Sequence, residues 1–253
     1  MKLKGHAVCG TRVSGSVVKI SAGEAALPPE GEGLVAVACG RCDEAFTAHV
    51  LSASDRLRER RCAFVICIPD SAAETAFAHA NITTVSSFDS AMFLDGDRVE
   101  VDGEEGTVDV ENVAEKHVVS CVVMNGDSML ILKRSDRVGS FQGKWSSVTG
   151  YVEEGETPVQ TAFKEMKEEI SVSAPVLLRQ GRAVAVRRGN TAWISHPFLF
   201  TLREGTEVKI DWEHTDYTWI SPGDLSNYDT VPGISGNLVS LGVSRGPFNS
   251  TNF

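Results

Sequence analysis

Three glutamates, Glu165, Glu168 and Glu169, stand at i, i+3 and i+4 in a segment, PVQTAFKEMKEEI, whose apolar residues repeat at helical spacing. On that helix Val159, Ala162, Phe163, Met166 and Ile170 form one stripe, the side that faces a core. The carboxylates cluster on a different face, where each like-charged pair costs on the order of tenths of a kcal/mol. Their place near the helix C-terminus adds to that cost, because the macrodipole is negative there. A cation is the natural compensation, and hard Mg²⁺ or Mn²⁺ prefers carboxylate oxygens. Taken alone, the same residues also fit a solvated acidic face on which Lys164 and Lys167 make ordinary pairs.

The flanking residues favour the cation. Gly150–Val172, GYVEEGETPVQTAFKEMKEEISV, resembles the Nudix signature G-x5-E-x7-R-E-U-x-E-E-x-G-U over its whole length. Gly150 matches the opening glycine, Glu156 the first glutamate, Glu165 the glutamate of the R-E pair, and Glu168 and Glu169 the E-E pair; Met166 and Val172 fill apolar positions. Two positions depart: Lys164 replaces arginine and Ser171 replaces the second glycine. Lysine keeps the charge but loses the planar fork, and serine fits easily only if its φ is not positive.

The resemblance implies a metal-dependent hydrolase of a small-molecule diphosphate, with water attacking phosphorus in a nucleoside diphosphate linked to a group X. It implies that Glu165, Glu168 and Glu169 hold Mg²⁺ or Mn²⁺, joined by a backbone carbonyl at Thr149 or Gly150, with Lys164 orienting a glutamate and Glu156 supporting the loop. Such a metal lowers the pKa of bound water and offsets phosphate charge. Glu213 is the loop candidate for general base. Lys133, Arg134 and Arg137 could clamp phosphate or be surface charge; Trp145, Phe141, Trp193 and Tyr217 could stack on a base or be core. WSSVTGYVEEGE is also reminiscent of the isopentenyl-diphosphate isomerase branch, which needs a cysteine after a downstream strand; this half holds only Cys121, before the box. A non-catalytic nucleotide-sensing module on a residual Nudix fold is the alternative from another class.

These residues need a scaffold, and its elements are readable. VVSCVVM, the turn Asn125-Gly126-Asp127 and MLILKR predict a hairpin. The loop Ser135–Lys144 leads to Trp145, a helix spans about Thr157–Ile170, and β-like runs occupy Val176–Arg188, Ala192–Leu202 and WEHTDYTWI, which stops at Ser221-Pro222. With the resemblance extending over roughly Lys116–Gly242, this implies a Nudix α/β/α sandwich at residues 114–245, followed by a tail at 246–253.

Residues 1–113 read as a second, smaller α/β unit. VAVACG at Val35–Gly40, a helix Glu44–Arg60, the strand Ala63–Ile68 ended by Pro69, a helix near Ser71–His79, the strand Ile82–Val85 and a hairpin Asp95–Val110 follow one another. The unit resembles the swivelling β/β/α domain of phosphohistidine carriers and aconitase-X small subunits. The phosphohistidine version needs a histidine about ten residues before the strand at Ile82; that count lands on Ala72, so the phosphoacceptor is lacking. The role of the unit is left open between binding a ligand, forming a homodimer and shielding the other site. Cys39, Cys42, Cys62, Cys67 and His49 leave a zinc site, a redox pair and plain thiols open, although Cys62 and Cys67 have opposite parity in one strand.

The chain of 253 residues carries a formal net charge of −10. That excludes the basic footprint of nucleic-acid and anionic-membrane binders, but not anionic substrates, because a bound cation inverts the local field. With no apolar leader at MKLKGHAVCG and no span-length apolar run, the expectation is a cytoplasmic protein with reduced cysteines.

Overall fold

The computed structural model describes residues 1–22, 28, 31 and 33–243; the tail expected at 246–253 lies outside them. The chain divides into two units, Met1–Ala114 with Arg187–Ala192, and Glu115–Val186 with the residues from Trp193 on. No sequence signal marked Arg187–Ala192 as part of the first. None of the described helices is long and apolar enough to cross a membrane.

In the first unit, strands β1 (Lys2–Lys4), β2 (His6–Cys9), β3 (Arg12–Ser21), β4 (Leu34–Arg41), β5 (Ala63–Ile68), β6 (Thr84–Ser86), β7 (Arg98–Asp102) and β8 (Thr107–Val110) form one mixed sheet, ordered β1-β8-β7-β3-β4-β5-β6-β2. β3, β4, β5 and β6 run parallel, and β4 and β5 read as unbroken apolar runs because they lie in the middle of it. Helices α1 (Glu44–Ser52), α2 (Ser54–Glu59) and α3 (Ser71–His79) cover one face, where Phe46, Phe64 and Phe77 pack together.

Two boundaries differ from expectation. The single helix Glu44–Arg60 breaks at Ala53, where the Ser52 hydroxyl turns back to the His49 carbonyl (2.7 Å) and competes with the helical ladder. The strand expected at Ile82 begins at Thr84, because the Ile82 carbonyl already accepts from the Thr84 hydroxyl and from Cys9 Sγ. Cys62 is buried in the helix-side core with Cys42, whereas Cys67 is half-buried and neighbours Cys39; all six cysteines are free thiols. Among the described residues no three His, Cys, Asp or Glu side chains form a group that could hold a metal.

The second unit is a sheet between two helical layers. Its strands are β9 (Ala114–Asn125), β10 (Ser128–Arg134), β11 (Trp145–Ser146), β12 (Val148–Tyr151), β13 (Val176–Gln180), β14 (Val184–Arg188), β15 (Thr191–Thr201) and β16 (His214–Ile220), of which Ala114, Arg187, Arg188, Thr191 and Ala192 count with the first unit; its helices are α4 (Pro158–Ile170) and α5 (Ile234–Ser240). Alternation within β9 sends Val119, Cys121 and Val123 toward Ala162, Met166 and Ile170 of α4, while Val122 joins Ile234, Leu238 and Leu241 on the α5 side. The hairpin turns at Gly126, whose φ of +60° suits glycine.

α4 starts as its sequence dictates. The Thr157 hydroxyl accepts from the Gln160 amide, the Gln160 side chain accepts from the Thr157 amide, and Pro158 fills the first helical position. The helix ends at Ser171 with φ +59°, so the condition for an easy Gly-to-Ser exchange is not met. The Ser171 hydroxyl donates to the Lys209 carbonyl (3.1 Å), which offsets part of the left-handed strain. Phe163, expected in the core stripe, is 37% exposed at its rim and meets Phe200 edge-on.

Candidate functional site

α4 presents its acidic face to the end of β12. Glu169 is 2% exposed, and its two carboxylate oxygens accept from the Thr149 backbone N–H at 3.3 and 3.4 Å. Glu165 is half-buried against Gly150; a Cβ at residue 150 would fall 2.0 Å from Glu165 Oε1, so any other residue would displace the carboxylate from where it stands. Glu168 is exposed. Gly150 therefore serves through its missing side chain as well as through its spacing.

The electrostatics record crowding. Burial first, then Glu168, pushes the Glu165 carboxyl up to about 7, with Lys164 pulling the other way. Burial, Glu165 and Glu213 push Glu169 well above the carboxylate range, against the Thr149 N–H. Burial and Asp211 raise Glu213, Arg134 opposing. These groups thus stand near enough to one another to disfavour simultaneous ionisation, which is the signature of a site short of positive charge. As placed, the described side chains make no ready three-ligand group. The fit to a hard divalent cation rests on this crowding, on the all-oxygen donor set and on the space Gly150 leaves.

Lys164 makes its direct contacts outside the cluster, although its charge still acts on Glu165 and Glu168. Its ammonium donates to Glu156 Oε1 (3.2 Å) and lies 3.6 Å from Glu153, while Glu156 also accepts from the Thr161 hydroxyl (2.8 Å). Thr161 and Lys164 together hold Glu156 below its usual range. The lysine thus braces the loop before α4 instead of forking a clustered glutamate.

Glu213 is brought near by the loop between β15 and β16. Its carbonyl accepts from the Ser135 N–H (2.7 Å), and its amide donates to Asp211 Oδ1 (3.0 Å). A bulge opposite Lys133 and Arg134 makes Thr215 the extra residue, so that Arg134 pairs with His214 and Leu132 with Tyr217. Because Leu132 packs on the α4 side, the bulge turns His214 to that side too. There His214 is 5% exposed, its Nδ1 lies 3.2 Å from Asp211 Oδ1, and its Nε2 is 3.8 Å from Glu169 Oε2. Burial lowers its pKa and Asp211 opposes that. Sequence reasoning named Glu213 but missed Asp211 and His214; the histidine beside an acidic residue at the head of an alternating strand was the available signal.

The basic and aromatic candidates scatter. Arg134 donates to the Ser140 carbonyl (3.1 Å) and influences Glu213, and Arg137 donates to the Trp212 carbonyl (2.9 Å) with its guanidinium over that ring. Lys133 and Trp145 are not joined to the glutamates: Trp145 packs edge-on against Tyr228 in the α5-side core, with the Lys133 ammonium 6.0 Å from its ring. Phe141 is 38% exposed in the loop before Trp145. Trp193 lies against Tyr151, and Tyr217 lines a cavity of about 460 Å³ with Trp219 and Arg203 that none of the clustered glutamates lines. Cys121 is fully buried, its thiol pushed well up by burial, which removes it as an accessible acid or nucleophile.

The family model of the NUDIX domain matches residues 115–240. Nucleoside triphosphatase NudI of Escherichia coli (strain SE11) is 27% identical over 126 residues, 46% of this chain and 88% of that protein, and NudI of Shigella flexneri gives the same values. Among solved structures, the MutT protein of Methanosarcina mazei Go1 is similar at 22% identity, TM-score 0.42, over 49% of this chain and 88% of that one. The E. coli dihydroneopterin triphosphate pyrophosphohydrolase is similar at 23% identity, TM-score 0.40, over 49% and 94%.

Proposed function

We propose, from the NUDIX-domain match over residues 115–240, that the chain is an enzyme of the Nudix pyrophosphohydrolase type and splits a diphosphate linkage in a nucleoside diphosphate-X or nucleoside triphosphate substrate with the help of Mg²⁺ or Mn²⁺. The observation that carries this is the pair of carboxylates, Glu165 and Glu169, packed against Gly150 and the Thr149 N–H with Glu168 beside them. Similar curated proteins named nucleoside triphosphatases support the triphosphate option.

Glu165, Glu168 and Glu169 would hold the cation, joined by a backbone carbonyl at Thr149 or Gly150. When bound, a divalent ion lowers the pKa of coordinated water and neutralises charge on the departing phosphate. The Thr149 N–H reaches both oxygens of Glu169 at 3.3 and 3.4 Å and draws this carboxylate toward β12 without fixing its orientation. Glu213 is the candidate general base: a half-buried carboxylate whose pKa is raised toward neutrality takes a proton from water more readily than an ordinary one. Lys164 keeps the loop carrying Gly155 and Glu156 in place. Arg134 and Arg137 flank Glu213 and are the better placed of the phosphate-binding candidates. Lys133 and Trp145, facing the α5 side, would reach only a substrate that crosses the sheet end.

The test is a panel of nucleoside triphosphates and nucleoside diphosphate derivatives with Mg²⁺ or Mn²⁺, run in ¹⁸O-water. Label in a phosphate or nucleotide product identifies the attacked phosphorus. Binding of nucleotides without metal, and no product from any member, would leave the sensing reading instead.

A further inference from the structure

His214 is buried, yet nothing in the alternation of its strand requires a polar residue there. Its side chain is 0% exposed, Nδ1 lies 3.2 Å from Asp211 Oδ1, and Nε2 has no hydrogen-bond partner. A buried ring nitrogen left without a partner is costly, so its retention calls for a partner in some working state. Glu169 Oε2 lies 3.8 Å away, too far for a hydrogen bond and near enough for a small side-chain shift to make one.

We propose that His214 is a positioning residue for Glu169: with its Nδ1–H held by the Asp211 carboxylate, its Nε2 shares a second proton with Glu169 Oε2 and so fixes the carboxylate that holds the divalent cation. The proposal rests on the metal-site reading above. Three observations converge on it. The Thr149 N–H restrains Glu169 only by two long contacts, leaving the opposite side of the carboxylate unrestrained. The bulge at Thr215 places His214 on the face that Glu169 occupies. The Asp211 amide donates to the Glu169 carbonyl (3.0 Å), so the residue that orients the ring is itself tied to the backbone of the ligand. Asp211 thus acts twice, on the histidine through its side chain and on α4 through its amide.

Two amide substitutions in the full chain separate positioning from mere packing. In His214→Gln the side-chain amide reaches the place of Nε2 and can still meet Glu169. In His214→Asn it reaches only the place of Nδ1, keeping Asp211 and losing Glu169. Mn²⁺ alone is titrated calorimetrically into the wild type and both variants, with Glu169→Gln as reference. The expected result is an affinity near wild type for His214→Gln and a loss of about 10- to 100-fold for His214→Asn, the usual effect of removing a partner of a metal ligand. Equal affinities for the two variants, whether both retained or both lost, overturn the proposal. Each variant is tested for a cooperative melting transition, and if Asn fails to fold, Asp211→Asn takes its place with a loss in the same direction expected. Wild-type Mn²⁺ binding that Glu169→Gln leaves unchanged refutes the metal-site reading itself, a separate outcome from indifference at residue 214.

Discussion

Replacing Glu165 by glutamine removes a charge that the folded chain accommodates poorly, and the structure fixes the sign and size of the effect. Burial and Glu168 move this carboxyl from 4.5 to about 7. The folded chain therefore holds the protonated group better than the unfolded chain does. Glu165 adds stability below pH 4.5 and withdraws it as the pH climbs through 7. A displacement of about 2.5 pH units at 1.36 kcal/mol each has a ceiling of about 3.4 kcal/mol. The side chain is only partly buried, so solvent screening lowers the realised penalty to about 1–2 kcal/mol. Glutamine keeps the shape against Gly150 and carries no charge, so without metal the variant should exceed wild type by that amount at pH 8 and equal it near pH 4.5. For a unit of this size that is about 3–8 °C in Tm. Calorimetry in EDTA at both pH values measures it, and adding Mg²⁺ at pH 8 should raise wild type while leaving the variant nearly unmoved. A variant less stable than wild type at pH 8 without metal, or a gap unchanged between the two pH values, refutes the reasoning.

Gly150→Ala should keep the fold and lose at least about tenfold in Mg²⁺-dependent turnover, about 1.4 kcal/mol in the transition state, because the new methyl displaces Glu165; a fully active variant would show the close approach to be incidental. Glu168→Gln and Glu169→Gln should each cost about 10³-fold in turnover, but only Glu169→Gln should raise the metal-free Tm clearly, since Glu168 is exposed and Glu169 is buried. Lys164→Arg should leave turnover unchanged or higher, because a guanidinium can fork onto Glu156 where the ammonium makes one bond; a large fall with normal melting would give Lys164 a direct role. Ser171→Gly should stabilise the chain by about 0.5–1 kcal/mol by relieving a left-handed φ, less the bond to Lys209, and a lower Tm would mean that the hydroxyl outweighs the strain.

The local parts of the fold were legible because their signals are local. Ala63–Ile68 is an apolar run closed by Pro69, and Asp70 caps the helix that follows it, so β5 and α3 fall where the sequence puts them. The break at Ala53 was not legible, since it depends on a serine hydroxyl choosing a carbonyl within its own helix over water. Arg187–Ala192 spans the end of one β-like run, the gap after it and the start of the next. Its place in the first unit follows from Arg187, a buried guanidinium that donates to Asp97 and to the Met92 carbonyl, and pairing over such a separation leaves no periodic trace.

The candidate site divides along the same line. Glu165, Glu168, Glu169 and Gly150 were legible because helix periodicity and the length of one loop determine where they meet. Their environments were not: three glutamates on one turn look equivalent in sequence, yet one is exposed, one half-buried and one buried, and only contact with β12 separates them. The same contact explains why the cluster persists. A helix with a like-charged turn at its negative end would fray in isolation, whereas here Met166 and Ile170 anchor that turn in the core and Thr149 donates to the most buried carboxylate. Apolar burial thus holds the carboxylates where their mutual repulsion alone would not keep them. That repulsion is relieved when a cation binds, and so the affinity for the cation is set in part by the strength of the core behind it.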